Sequence, residues 1–243
     1  MMRTTKIEWT ERTWNPITGC TKQSEGCTHC YAEVMARRLK AMNNKKYING
    51  FIITEHPNDL QEPFNWKKAS MIFVCSMGDL FHKDVSFEFI DKVFDVIRQT
   101  PQHTYQILTK RAERMNEYFK ERSIPENAWI GVTVENKDTK YRMDYIRDLS
   151  AKVKFISCEP LLEDLGNLNL RGINWIIVGG ESGVQARPMK AEWAINIKNQ
   201  AEANNIPFFF KQWGTWGADG IKRNKKANGK ILNGNIIQQM PIK

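Results

Sequence analysis

Six short, nearly continuous apolar runs recur along this chain, with segments of helical periodicity between them. The runs are Met71–Cys75, Tyr105–Thr109, Trp129–Thr133, Val153–Ser157, Trp175–Val178 and Phe208–Phe210. Strands covered on both faces of a parallel sheet read this way. Residues 86–99 carry Phe87, Ile90, Phe94 and Ile97 three to four apart, with Ser86 placed to cap the helix. Residues 111–121, 136–149 and 190–204 read as helices too. Their apolar faces hold Met115, Tyr118 and Phe119, then Tyr141, Tyr145 and Ile146, then Trp193, Ala194, Ile197 and Ala201. Tyr31–Met42 reads as an earlier helix and Trp14–Thr18 as a first strand. Repeated strand–helix units predict an α/β fold. The expected architecture is a parallel (β/α) barrel, partial or closed and TIM-like, of six to eight units.

No repeat, low-complexity linker or boundary divides residues 1–213, which are expected to form one barrel domain with a polar insertion near 43–68. Residues 214–243 form a basic extension. In it, Asn233-Gly234 stands between apolar pairs, a hairpin signal. A 41% hydrophobic and 26% charged composition is that of a globular protein. No apolar run approaches the ~20 residues of a membrane helix. The N-terminal segment M-M-R-T-T-K-I-E-W-T lacks a signal-peptide core, so a cytoplasmic location is expected. The net charge is +9. Lys222, Arg223, Lys225, Lys226, Lys230 and Lys243 stand against one acid, Asp219, in the extension, and Arg37, Arg38, Lys40, Lys45 and Lys46 form a second basic stretch. This balance is compatible with a polyanionic partner or with a solvated basic surface.

Polar residues follow every apolar run. They include Gly78 and Asp79, Lys110 and Arg111, Glu135, Glu159, the turn Gly179-Gly180-Glu181, and Lys211. In parallel barrels the C-terminal rim of the strands holds the active site. Lys211 and Glu159 are the rim residues expected to serve catalysis. The glycines at 78, 179 and 180 permit close approach of backbone to a ligand, though neither turn has the spacing of a phosphate-binding fingerprint.

Three of the five cysteines, Cys20, Cys27 and Cys30, fall within eleven residues. Thiolates suit zinc and iron–sulfur clusters. A closed zinc site needs a fourth ligand, which only His29, His82 or a distant cysteine can supply, since no second C-x2-C pair exists. Three cysteines alone suit a cluster with one open iron. Cys75 and Cys158 end predicted strands and read as small buried side chains.

The loop T-G-C-T-K-Q-S-E-G-C-T-H-C-Y-A-E resembles the cluster motif of the radical S-adenosylmethionine (radical SAM) superfamily, whose commonest spacing is C-x3-C-x2-C; here the first gap is six residues. Almost the whole chain resembles the phage-associated family of gene products 37 and 68. That likeness rests on T-W-N-P-I-T-G-C, F-V-C-S-M-G-D-L-F-H, I-L-T-K-R, I-G-V-T-V-E-N, F-I-S-C-E-P-L-L, V-G-G-E-S-G and F-F-K-Q-W-G. The radical SAM resemblance implies a [4Fe–4S] cluster on Cys20, Cys27 and Cys30, with S-adenosylmethionine on the open iron. It implies that Gly78 and Asp79 meet the methionine amino group and that Lys110 or Arg111 meets its carboxylate. Glu135 and Gly179, Gly180 and Glu181 would then hold ribose and adenine. The implied chemistry makes a 5′-deoxyadenosyl radical, with an external electron donor; the basic tail and the phage-family resemblance are what point to a nucleic-acid or nucleotide substrate and a host-cytoplasmic setting.

Two other readings stand beside it. One is a non-catalytic nucleic-acid-binding protein stabilised by zinc or a cluster, with exposed Trp213 and Trp216 stacking on bases beside the lysine tail. The other is a zinc- or cluster-dependent hydrolase using the rim acids, which has no H-E-x-x-H motif to support it.

Overall fold

The computed structural model describes residues 5–242; Met1–Thr4 and the last tail lysine, Lys243, lie outside them. The first strands are β1 (Arg12–Trp14) and β2 (Ile17–Thr18), followed by helix α1 (Tyr31–Ala41) and strand β3 (Thr54–Glu55). Then come β4 (Met71–Val74), α2 (Phe87–Gln99), β5 (Thr104–Thr109), α3 (Ala112–Phe119) and β6 (Ala128–Thr133). After them lie α4 (Asp144–Arg147), β7 (Lys154–Cys158), β8 (Trp175–Gly179), α5 (Ala191–Ala203) and β9 (Phe208–Gln212). A short α6 (Lys225–Asn228) and the hairpin β10 (Ile231–Leu232) and β11 (Asn235–Ile236) complete the order.

Seven strands form one sheet in the order β1-β4-β5-β6-β7-β8-β9. Each strand therefore neighbours the one before it in sequence within the sheet. The pairs β1–β4, β4–β5, β7–β8 and β8–β9 are parallel. This is an α/β fold with the topology of a partial TIM-like barrel, as the alternation predicts. Among the described residues no helix is long and apolar enough to cross a membrane.

The chain divides into two compact units, with the boundary inside β6 between Gly131 and Val132. The first holds residues 5–23, 30–131 and 149–152 among those described. Its β4 is buried along its whole length, which accounts for the unbroken apolar run. Ser86 caps α2 by accepting from Phe89 N at 3.1 Å, and Phe89, Ile90, Val93, Phe94, Val96 and Ile97 are buried. Phe94 stacks on Tyr118 of α3, with Phe119 edge-on to Phe94 and Phe81 tilted against Tyr118. Helix α1 buries only a narrow strip. Ala32 and Ala36 join Tyr47 and Met77 in a small cluster against which Cys30 packs.

The second unit holds residues 24–29, 132–148 and 153–242. Trp175 of β8 meets Phe155 of β7 and Phe209 of β9, and its indole N–H reaches Gln239 O at 3.0 Å. The hairpin forms at Asn233-Gly234, both residues having positive φ.

The helix expected over 136–149 is instead a 3-10 segment, Lys137–Met143, running into one turn of α-helix. Its buried face is Thr139, Arg142, Met143, Ile146 and Arg147, while Tyr141 is exposed. The spacing is helical and Ile146 lies inward as the apolar stripe predicts, but the rest of the inward face is largely polar and Tyr141 turns to the surface. Trp213 also differs from its expected exposure. It is buried, and its indole N–H donates to Ile231 O at 2.8 Å. It packs edge-on against Phe210 and presents no surface for base stacking.

Candidate functional site

In the first unit, chain geometry places Cys20 directly after β2. Gly19, at φ +89°, sits so near Ile52 that a β-carbon would lie 2.3 Å from its carbonyl oxygen. Gly19 also bridges to Gly78, whose own β-carbon would meet Gly19 O at 2.9 Å. The Gly78 N–H donates to Cys75 O. Gly78 thus serves the close approach of the turn after β4 to the strand that leads into Cys20.

Asp79 is buried and accepts four hydrogen bonds. Oδ1 receives Phe81 N at 3.0 Å and the Thr109 hydroxyl at 2.7 Å. Oδ2 receives Lys110 N at 3.3 Å and Arg111 Nη1 at 2.9 Å. Arg111, also buried, carries this network to the cysteine loop. Nη1 lies 3.5 Å from Cys20 Sγ, and Nη2 donates to Thr21 O at 3.0 Å and Thr21 Oγ1 at 3.1 Å. Burial works against the Arg111 charge, but Asp79 and then Cys20 outweigh it and hold its pKa above the ordinary value.

His82 closes the network. Nδ1 accepts from Asp84 N at 3.2 Å, so in the neutral ring Nε2 carries the proton toward Thr21 Oγ1, 2.7 Å away. Burial, then the Arg111 charge, pushes His82 below the usual histidine range. Both ring nitrogens are therefore engaged.

In the second unit, loop residues 24–29 are held by two carboxylates. Glu135 is fully buried and pairs with Arg142 at 2.8 Å. Arg142, itself 1% exposed on its side chain, also donates to Thr133 O. The Ser24 hydroxyl donates to Glu135 Oε1. Gly26 lies against the same carboxylate, where a β-carbon would meet Oε1 at 2.9 Å. Glu181 takes His29 Nδ1 at 3.3 Å and a bidentate contact from Arg187, with Nε at 2.9 Å and Nη2 at 2.7 Å. Arg187 also reaches Glu25 Oε1 and Glu25 O, at 3.0 and 3.2 Å. Burial opposes ionisation of Glu181, but the hydrogen bonds from Arg187 and His29 overcome it and hold the carboxyl below its ordinary range. Cys27 thus sits, buried, in a loop fixed at Ser24, Glu25, Gly26 and His29.

Lys211 and Glu159 meet at 2.7 Å, both partly exposed, and Gly179 leaves room beside Glu159. Lys211 lies inside β9 rather than after it. Gly180 packs on the backbone of Trp213, where a β-carbon would meet Trp213 O at 1.9 Å. Its N–H donates to Gln212 O. Arg142, Arg187, Ser24 and Thr21 are site residues that sequence reading passes over. Thr21 and Ser24 stand inside the cysteine loop, and Arg187 stands six residues after Glu181.

A family model of proteins of unknown function, DUF5131, matches residues 4–241. The chain belongs to the DUF5131 family. No curated protein matches this DUF5131 sequence. Among solved structures, it is similar to a mutant spore photoproduct lyase with dinucleoside spore photoproduct, at 11% identity and a TM-score of 0.47. The match covers 83% of this DUF5131 chain and 63% of that one, so the chain spans under two thirds of that protein's length.

The donor chemistry separates two kinds of metal centre. The five cysteines form no disulfide. Cys75 and Cys158 are buried, and burial pushes both thiols up, as apolar packing predicts. The soft donors left are Cys20, Cys27 and Cys30. Among the described residues, no group of three or more His, Cys, Asp or Glu side chains is placed to hold a metal ion. A cluster offers each thiolate its own iron, so three such ligands need not converge on a single point. The loop's thiols fit that demand in kind and in number.

Proposed function

We propose that this DUF5131 protein is a radical SAM-type enzyme, with Cys20, Cys27 and Cys30 holding a [4Fe–4S] cluster. The observation that carries the reading is the set of three thiols in a loop anchored by buried charged groups and following β1, the first strand of a parallel β/α sheet. A cluster held by Cys20, Cys27 and Cys30 would supply one-electron reductive cleavage of S-adenosylmethionine. The chain's own residues orient and shield. In the first unit Arg111 and Asp79 fix the backbone of Thr21 beside Cys20. In the second, Glu135 and Glu181 hold the segment that carries Cys27.

Two carboxylates expected at ribose and adenine, Glu135 and Glu181, are engaged with the loop. Their part in this reading is to anchor the ligands, with the Lys211–Glu159 pair left as the partly exposed charged pair for substrate chemistry. The proposed substrate is a nucleic acid or nucleotide, and an external donor supplies electrons. Support for a polyanion comes from the exposed lysines 222, 225 and 226. Anaerobic reconstitution with iron and sulfide tests the reading: three or more irons per chain with matching sulfide are expected, and one zinc without sulfide refutes it.

The non-catalytic nucleic-acid reading keeps the lysine tail but loses Trp213. Trp216 is partly exposed, and its indole N–H is taken by Ala186 O at 2.6 Å.

A further inference from the structure

The Arg111 contact to Cys20 is built from many fixed points. Its guanidinium is gripped by Asp79 Oδ2, Thr21 O and Thr21 Oγ1, and its backbone N–H donates to Thr109 Oγ1 at 2.9 Å. Asp79 is in turn fixed by Thr109, Phe81 N and Lys110 N. Arg111 and Asp79 are 7% and 5% exposed, so water competes little for these bonds. A planar fork can satisfy a carboxylate, a carbonyl and a hydroxyl while one N–H faces the sulfur; a lysine ammonium has no such geometry. The approach of Nη1 to Sγ is therefore a consequence of the network.

We propose that Arg111 is a positioning residue acting through Cys20, and that its N–H on the sulfur raises the reduction potential of a cluster bound there. The inference rests on reading Cys20 as a cluster ligand. An N–H donated to a ligating sulfur stabilises the extra negative charge of the reduced state. Asp79 offsets part of the guanidinium charge, so the hydrogen bond carries the effect.

The test is a potentiometric titration of the reconstituted holoprotein, followed by electron paramagnetic resonance. Wild type is compared with Arg111→Lys and with the paired variant Arg111→Met, Asp79→Asn, which leaves no buried charge alone. The paired variant is expected to hold full iron and titrate lower, by about tenfold in the one-electron equilibrium, or ~59 mV. Its resonance signature changes with it. Arg111→Lys shifts in the same direction, because one ammonium cannot serve Asp79, Thr21 and the sulfur together. If the paired variant does not fold, Arg111→Lys decides. An unchanged potential and signature in a fully loaded variant overturns this inference alone. A wild-type protein that takes up no iron and sulfide overturns both the inference and the reading beneath it.

Discussion

Gly26 lies against the Glu135 carboxylate so closely that a β-carbon would stand 2.9 Å from Oε1 and 3.0 Å from Cδ. Glu135 has little freedom to retreat, because Arg142 and Ser24 hold the same group. Gly26→Ala is therefore expected to push the loop off its anchor and destabilise the fold by about 1–3 kcal/mol, the usual cost of overpacking. Urea denaturation measures this, and the variant should also retain less iron after reconstitution. A variant as stable and as iron-rich as wild type would show that the loop does not depend on this contact.

The Glu135–Arg142 pair is buried on both sides. Arg142→Met leaves a buried carboxylate without its guanidinium and should cost about 3–5 kcal/mol. Adding Glu135→Gln to that variant should restore part of the loss, because no charge is then stranded. Chemical denaturation of the two single variants and the double variant gives the coupling directly.

Which parts of this were legible in the sequence follows from what packs against what. Strand β4 is apolar on both faces because both faces are covered, so M-I-F-V stood out. Ser86 caps α2 by a local bond, and local chemistry is readable. The three cysteines and the glycine turns were visible for the same reason. What was hidden is long-range. Nothing near Arg142 in sequence says that it turns inward to Glu135, and an arginine inside a helical period reads as surface. Glu135 and Glu181 stood out as strand-end acids, but their partners, Ser24 and His29, are 111 and 152 residues away. The fold gives Gly180 a close neighbour, the Trp213 backbone, that nothing local in the sequence announces.

Acid should destabilise the protein through its histidines. His56, His82 and His103 all have pKa values pushed below the ordinary histidine value of 6.5, burial being the largest cause in each. Below about pH 6.5 the unfolded chain binds protons that the folded chain refuses, so stability falls as pH falls. Above that value all three are neutral in both states and contribute no slope. Glu181 adds a second, lower window. Its folded pKa is depressed, so its contribution is present above the ordinary glutamate pKa and is lost as pH drops through the folded one. Thermal unfolding midpoints across this range check both, and a flat profile from neutral to mildly acidic pH would contradict the histidine account.

Lys225 and Lys226 lie exposed on α6. If the tail contacts phosphates, binding of a duplex probe weakens with salt, and Lys225→Ala with Lys226→Ala lowers the log–log slope by roughly 0.9 per lost contact. Fluorescence anisotropy over a salt series measures it. Binding that ignores salt, or no binding, removes the polyanion from the account.

The most direct test incubates the anaerobically reconstituted, reduced protein with S-adenosylmethionine and follows 5′-deoxyadenosine by chromatography. The account predicts that the nucleoside forms, in step with bound iron and sulfide, and that Cys27→Ala abolishes both. A folded protein carrying one zinc and no sulfide, and forming no 5′-deoxyadenosine, would contradict it.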